Sequence, residues 1–436
     1  MKKTTLLFTY LLCLTLSAWA QTRTYIAGAD ISWLTEMEQA GRSFYANASM
    51  TDAVEGTQLM KDLGMHAIRL RVWVDPANTT DGYCTEAAYD KAHAYCDKAD
   101  VVLKAQRAEA LGMDLLIDFH YSDSWADPSR QYIPYAWRNY TFQQMLQAVT
   151  DHTTEVLQAL RDAGVTRVKW VQIGNETRDG MLYMVKNGTS KSQNGGNASS
   201  TPAQFAQLIS AGHDAVKAVY PDAITMIHHD MSHSWNNLNW LLNILKTNNA
   251  RYDMVGLSLY PDIAWDGSTQ LSASVAISRA FENVGKIYSN YQKESMIVEV
   301  GVTMDQSGKS SAANSTTTTG ANNLSSILQK LQQSEHCQGI FYWEPMAWWW
   351  NSYARGAFNV GDYDSAWNVT KMYPNAIFDT FSQSAVNAID EVHPDADPVG
   401  AQRQKPGIPY DLQGRPLGAS LTRGISIEGG RKVIKH

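Results

Sequence analysis

The sequence predicts an α/β chain closed into a (β/α)8 barrel with a short β-like C-terminal tail. Three observations carry that prediction. Short β-branched and apolar runs alternate with longer amphipathic ones eight times without interruption, the pattern of parallel strands joined by crossover helices. Eight such units close a barrel. Polar and aromatic residues collect where the apolar runs end, the strand termini at which barrels keep their sites. The competing architecture, an open doubly wound sheet, usually carries a Gly-rich phosphate turn after its first strand. Gly28-Ala29-Asp30-Ile31 offers none.

In order, Tyr25 to Asp30 reads as the first strand. Asp52-Ala53-Val54-Glu55 opens a helix with a capping pattern, and Gly64 closes it. His66 to Val74 is the second strand, Glu86 to Leu111 a helix stopped by Gly112, and Asp114 to His120 the third strand. Thr141 to Ala163 is helical. The fourth strand runs from Val168 into Gly174-Asn175-Glu176. Thr201-Pro202 starts the next helix with a proline in its first turn. Ile224 to His228, Met254 to Tyr260, Ser295 to Gly301 and Gly339 to Trp343 are the remaining strands. Helices at 236–246, 271–291, 322–333 and 375–388 separate and follow them.

The ends have another character. Met1 to Ala20 has a basic start at Lys2 and Lys3, an apolar run, and an Ala-Trp-Ala exit, the pattern of a cleaved secretory leader. The apolar run is too short for a membrane span. The expected product is therefore exported to the periplasm or cell exterior. The barrel is expected over 21–389, a Pro- and Asp-rich linker over 390–405, and a short β-like tail over 406–436.

Formal charge is −7, and −9 without Lys2 and Lys3, with no basic run that would suggest nucleic acid. A monomer is expected. Beyond the leader, cysteines stand at 84, 96 and 337, so at most one bridge forms. Cys84 and Cys96 could be bridged or could stay as thiols. No Cys/His spacing resembles a zinc site.

The strand ends hold the chemistry. Glu176 and Glu299 each close an apolar strand, and two such carboxyls are the minimum set for cleaving a glycosidic bond. Alternation places Arg69, Arg71 and Trp73 on one strand face, Asp118 and His120 on another, and Ser258 and Tyr260 on a third. Trp125 and Trp343 stand at strand ends beside polar residues. Taken singly, His120 reads as a core histidine, Tyr260 as a core aromatic and the tryptophans as packing. Gathered at strand ends, they describe a polar cleft walled by aromatics, suited to sugar hydroxyls and sugar faces.

Gly28-Ala29-Asp30-Ile31-Ser32, Arg69 to Pro76, Asp118-Phe119-His120-Tyr121-Ser122-Asp123-Ser124-Trp125-Ala126-Asp127-Pro128 and Gly174-Asn175-Glu176 together resemble family 53 of the glycoside hydrolases. These are endo-β-1,4-galactanases of clan A, and the resemblance spans about Tyr25 to Ile389. It implies a retaining double displacement on β-1,4-galactan, with Glu176 as acid/base and Glu299 as nucleophile. It further implies that Asn175 binds the 2-hydroxyl, that Tyr260 and Arg71 attend the nucleophile, and that His228 matches a family histidine. No cofactor is implied. Bacterial relatives often hold calcium near the equivalents of Asp305, Asp362 and Asp364, but Lys309 stands where a hard oxygen ligand belongs. Alternatives are a β-mannanase or other clan A endo-glycosidase, and a non-catalytic carbohydrate-binding barrel.

Overall fold

The computed structural model describes residues 25–85, 94–188, 191–304, 315–366, 368–380, 424–428 and 431–435. The chain divides into two compact units, Met1–Glu391 and Val392–His436. In the first, eight parallel strands close on themselves: β1 Ile26–Asp30, β2 Ala67–Val72, β3 Asp114–Phe119, β4 Val168–Ile173, β5 Ile224–His229, β6 Met254–Leu259, β7 Glu294–Val300 and β8 Cys337–Trp343. Around the ring the order is β1-β8-β7-β6-β5-β4-β3-β2. Ile26 opposite Gly339 joins the last strand to the first, and Gly28 opposite Ala67 joins the first to the second.

Helices run between the strands: α1 Gly56–Asp62, α2 Lys98–Ala110, α3 Phe142–Asp162, α4 Pro202–Val219, α5 Trp235–Thr247, α6 Ala273–Tyr291 and α7 Ser315–Gln333. Strands covered on both faces need apolar side chains on both, and β2 and β6 are buried at every position. Inside the ring, Leu116, Trp170, Met226, Met296 and Phe341 fill the lower half. Gly28 makes room for Phe341, whose ring would meet a Cβ there at 2.4 Å. Emptying such a position, Phe to Ala, costs about 3–5 kcal/mol. Above this plug the inward positions turn polar, and the site begins there.

The eight predicted strands are present, and two of the predicted helix starts move as follows. The first helix starts at Glu55, not Asp52: the Glu55 carboxylate accepts from Gln58 N at 2.9 Å. The helix expected from Glu86 starts at Lys98. Cys96 adopts a left-handed backbone (φ 62°), and Asp97 caps α2 by accepting from Asp100 N at 2.8 Å. Residues 86–93 lie outside the described residues. Of the last helix, 376–380 is described and helical; its continuation to 388, the leader and the linker all lie outside the described residues. Cys84 and Cys96 are not bridged. Their Sγ atoms donate to the carbonyls of Asn78 and Ser32, each at 3.4 Å.

In the second unit, 424–428 and 431–435 pair as an antiparallel hairpin. Among the described residues, no helix is long and apolar enough to cross a membrane.

Candidate active site

The site starts from one buried cation. Arg69 points inward from β2 and is 1% exposed. Its Nη1 meets Asp30 at 2.7 Å, and its Nη2 meets Asp118 at 2.8 Å and Glu299 at 2.9 Å. The same Nη2 reaches Asn175 Oδ1 at 3.0 Å. Four strands thus deliver partners to one guanidinium, whose charge offsets the cost of burying carboxylates together. Burial pushes Asp118 upward, but Arg69 and then His120 outweigh it and hold the carboxyl below the ordinary range.

The expectation that Arg71 stands by Glu299 is corrected here: the arginine that meets Glu299 is Arg69. The two share a face, but Arg71 stands one pleat repeat further along the strand. There its Nη1 meets Glu344 at 2.8 Å, just past β8. Trp33, Trp73 and Trp125 surround its guanidinium at 4.9, 5.2 and 4.6 Å from their ring centroids.

The fourth strand ends on a sharp turn. Gly174 has φ +81°, and a Cβ there would meet Thr177 Cγ2 at 2.5 Å, so glycine is required. Glu176 follows with its own left-handed backbone, φ 45°. The turn places Asn175 into the polar layer and Glu176 against the cleft. Asn175 Nδ2 donates to Ala126 O at 2.8 Å.

Two histidines have fixed tautomers. His120 Nδ1 accepts from Trp73 Nε1 and from Ala126 N, both at 3.2 Å, so its proton is on Nε2, which donates to Asp118 at 3.0 Å. His228 Nδ1 accepts from Glu176 N at 3.2 Å, leaving Nε2 to donate to Ser258 Oγ at 2.8 Å. The Ser258 hydroxyl in turn donates to Glu176 Oε1 at 2.8 Å. Burial first, and then Arg69, pushes His228 well below its ordinary value, so it stays neutral. Burial likewise lowers His120.

The two glutamates differ in their partners. Glu299 faces Arg69 on one oxygen and takes the Tyr260 hydroxyl on the other at 2.9 Å. Glu176 has the Ser258 hydroxyl and no cation among these contacts. Burial raises both carboxyls. For Glu176 the charges of Glu299 and Asp230 add to burial and carry it well above the ordinary range. Burial lifts Glu299 to about 7, with Arg69 pulling it down. The cation beside Glu299 favours its charged form, and Glu176, with a neutral hydroxyl for a partner, is favoured as the acid.

Both carboxyls line one cleft of about 400 Å³ with His120, Asn175, Tyr260 and an aromatic wall. That wall is Trp33, Trp125 and Trp343, packed edge to face, with Trp33 5.5 Å from Trp125 and 5.1 Å from Trp343. Sequence reading missed Trp33, Glu344 and the Asp30–Arg69 pair. Trp33 and Glu344 each stand just past a strand terminus, where a barrel keeps its site residues. Asp305 and Lys309 lie outside the described residues. The Asp364 carboxylate is taken up by Asn368 N at 2.8 Å, Asn368 Nδ2 at 3.0 Å and Ala366 N at 2.8 Å. Among the described residues, no three His, Cys, Asp or Glu side chains gather as a metal-ligand group.

A closed eight-stranded barrel with one buried and one half-buried carboxyl lining an aromatic cleft at its strand ends has the parts of a glycoside hydrolase. The chain belongs to glycosyl hydrolase family 53, whose sequence model matches residues 26–392. It is 27% identical to an endo-β-1,4-galactanase of Bacillus subtilis, over 74% of this chain and 70% of that one. It is 28% identical to an arabinogalactan endo-β-1,4-galactanase of Cellvibrio japonicus, over 74% and 81%. An uncharacterised protein of Niallia circulans is 32% identical over 56% of this chain, which spans 60% of that protein's length. In fold, the chain is similar to the family 53 catalytic domain of Ignisphaera aggregans (TM-score 0.64, 22% identity, 82% of this chain and 95% of that one). A fungal β-1,4-galactanase gives a TM-score of 0.63 at 22% identity, over 83% and 100%.

Proposed function

We propose that this protein is an exported endo-galactanase that hydrolyses β-1,4 bonds of galactan with retention of configuration. The observation that supports it most directly is the unequal treatment of the two carboxyls that line the cleft. Arg69 and the Tyr260 hydroxyl favour the carboxylate of Glu299, while Glu176, beside a neutral serine, favours its protonated form. Such a pair supplies one nucleophile and one acid at the same pH.

In the first step a Glu299 oxygen attacks the anomeric carbon and the glycosidic C–O bond breaks. Glu176 gives its proton to the leaving oxygen. In the second step Glu176, now a carboxylate, takes a proton from water. The hydroxide adds to the anomeric carbon and Glu299 departs as a carboxylate. Two inversions retain the β configuration. Tyr260 and Arg69 stabilise Glu299 each time it regains its charge. Asn175 has its Oδ1 tied to Arg69 and one N–H tied to Ala126, so its second amide N–H is left for a sugar hydroxyl. The relatives named as galactanases support the substrate, and the Met1–Ala20 pattern supports export.

The test is a panel of β-1,4-galactan, mannan, xylan and cellulose, with the first anomer released from the cleaved substrate followed by proton NMR before mutarotation. Cleavage of galactan with a β-anomer product is expected. Cleavage of mannan alone would remove the substrate reading, and an α product would remove the assigned roles.

A further inference from the structure

Far from the cleft, α5 breaks a rule that outer barrel helices follow. A solvent face is normally filled with strong helix formers, most of them charged. Trp235–Thr247 reads WNNLNWLLNILKT, with four asparagines, two tryptophans and one charge. Asparagine in a helix interior costs roughly half a kcal/mol relative to alanine. Two of the four are used by the fold: Asn237 Nδ2 donates to Ser234 Oγ at 2.9 Å, and Asn239 Oδ1 accepts from the Tyr291 hydroxyl at 2.8 Å. Asn236 and Asn243 are exposed, and neither side chain hydrogen-bonds to another of the described residues. Their presence has no structural compensation, the mark of residues kept for another purpose.

These residues share a surface. Asn236, Trp240, Asn243 and Thr247 follow one another at helical spacing and form a stripe roughly 16 Å long. The stripe lines a groove of about 620 Å³, completed by Ser199 and Pro202 at the start of α4. Trp240 is 37% exposed. No lining residue carries a charge. The helix's one cation, Lys246, is turned away, with its Nζ 5.5 Å from the centroid of the Tyr291 ring. The groove is therefore an apolar ring face flanked by free amides and hydroxyls. An ionic ligand would find no counter-charge there. A lipid surface would find one tryptophan and no apolar band. A chain of neutral hydroxylated rings finds a stacking surface and donors and acceptors on both sides of it.

We propose that this groove is a second, non-catalytic binding site for the neutral polysaccharide substrate, holding a stretch of β-1,4-galactan on the outside of the barrel while the cleft works elsewhere on the polymer. The inference rests on the galactanase reading above. Two attachment points on one polymer raise the effective concentration of cleavable bonds at the cleft. The site therefore acts on long chains and not on short ones.

The test starts by confirming that wild type cleaves β-1,4-galactan; if it does not, the galactanase reading fails, and this inference falls with it. Migration of the Glu299→Gln protein and of its Trp240→Ala derivative is then compared in native gels containing galactan. The tryptophan variant is expected to be retained about 5- to 10-fold less, the effect of losing a single aromatic contact. Placed alone in an otherwise wild-type chain, Trp240→Ala should leave kcat/KM on a short soluble galacto-oligosaccharide equal to wild type, while the rate on long galactan falls. The doubly substituted Asn236→Asp/Asn243→Asp protein, which keeps the tryptophan, should lose retention in the same way. Equal retention of all three proteins, at intact galactanase activity, overturns the site alone. A change in sedimenting mass caused by Trp240→Ala overturns it as well, since the face would then be an interface between copies.

Discussion

Replacing Arg69 by methionine removes the cation from three buried carboxylates and leaves a side chain of similar length. Asp30 and Asp118 are wholly buried and Glu299 nearly so. Two routes give the cost at pH 7. Breaking one partner out of a buried ion pair costs about 3–5 kcal/mol. Alternatively Asp118, which the folded chain holds ionised, takes up a proton, and protonating an aspartate of ordinary pKa near 4 at pH 7 costs about 4 kcal/mol, three units at 1.36 each. Both routes give about 4 kcal/mol, or roughly 5 °C in melting temperature for a domain of this size. The second route has its own signature. At pH 4.5 the proton is nearly free, so the loss should shrink to about 1 kcal/mol. In a Glu299→Gln background one carboxylate is already gone, and the cost of Arg69→Met should fall by about 1–3 kcal/mol. Urea unfolding followed by circular dichroism at both pH values measures all four proteins. An equal loss at pH 7 and pH 4.5, unchanged by Glu299→Gln, would mean that Arg69 serves only as packing.

Further predictions concern the neighbouring groups. The native Glu176 carboxyl titrates well above the 4.5 of an ordinary glutamate. Below 4.5 both folded and unfolded chains hold that proton; above it only the folded chain does, so Glu176 lowers stability as pH rises. Glu176→Gln should therefore melt above wild type at pH 7 and level with it at pH 4; a lower melting point at pH 7 contradicts the assignment. Reductant should leave the melting temperature unchanged, because Cys84 and Cys96 are thiols; a fall of several degrees would reveal a bridge. A chain ending at Glu391 should keep full kcat/KM, since the compact unit holding the cleft ends there; inactive or insoluble product would make the tail part of the barrel's fold.

Much of this molecule is legible in its sequence because a barrel strand states two things at once. Its apolar run says it is buried, and the residue on which the run stops says what the site receives. Asn175-Glu176, Asp118-His120, Tyr260 and Glu299 were all read in this way. What alternation does not state is height. Arg69 and Arg71 share a face, yet one meets Glu299 and the other Glu344, because the stagger between neighbouring strands decides which layers face each other. The start of α2 was misplaced for a related reason. The periodic run through Tyr95 hid the left-handed turn at Cys96, although Asp97 followed by Asp100 is a capping signal. Glu344 is not assigned to the site by the sequence because it sits one residue beyond its strand, where alternation no longer says which way a side chain faces.

The pairing of β1 with β8 has a consequence for how the protein comes into being. Ile26 meets Gly339 only after nearly the whole barrel has been synthesised. Contacts so distant in the chain close slowly, because their loop entropy must be overcome before they return any energy. The aromatic wall straddles that seam, with Trp33 just past β1 and Trp343 at the end of β8. So does the Arg71–Glu344 pair, which completes the layer beside the wall. A growing chain therefore carries both glutamates long before it has a cleft to set them in, and it gains the site in the same event that closes the ring. During synthesis the half-made protein is chemically silent toward sugars.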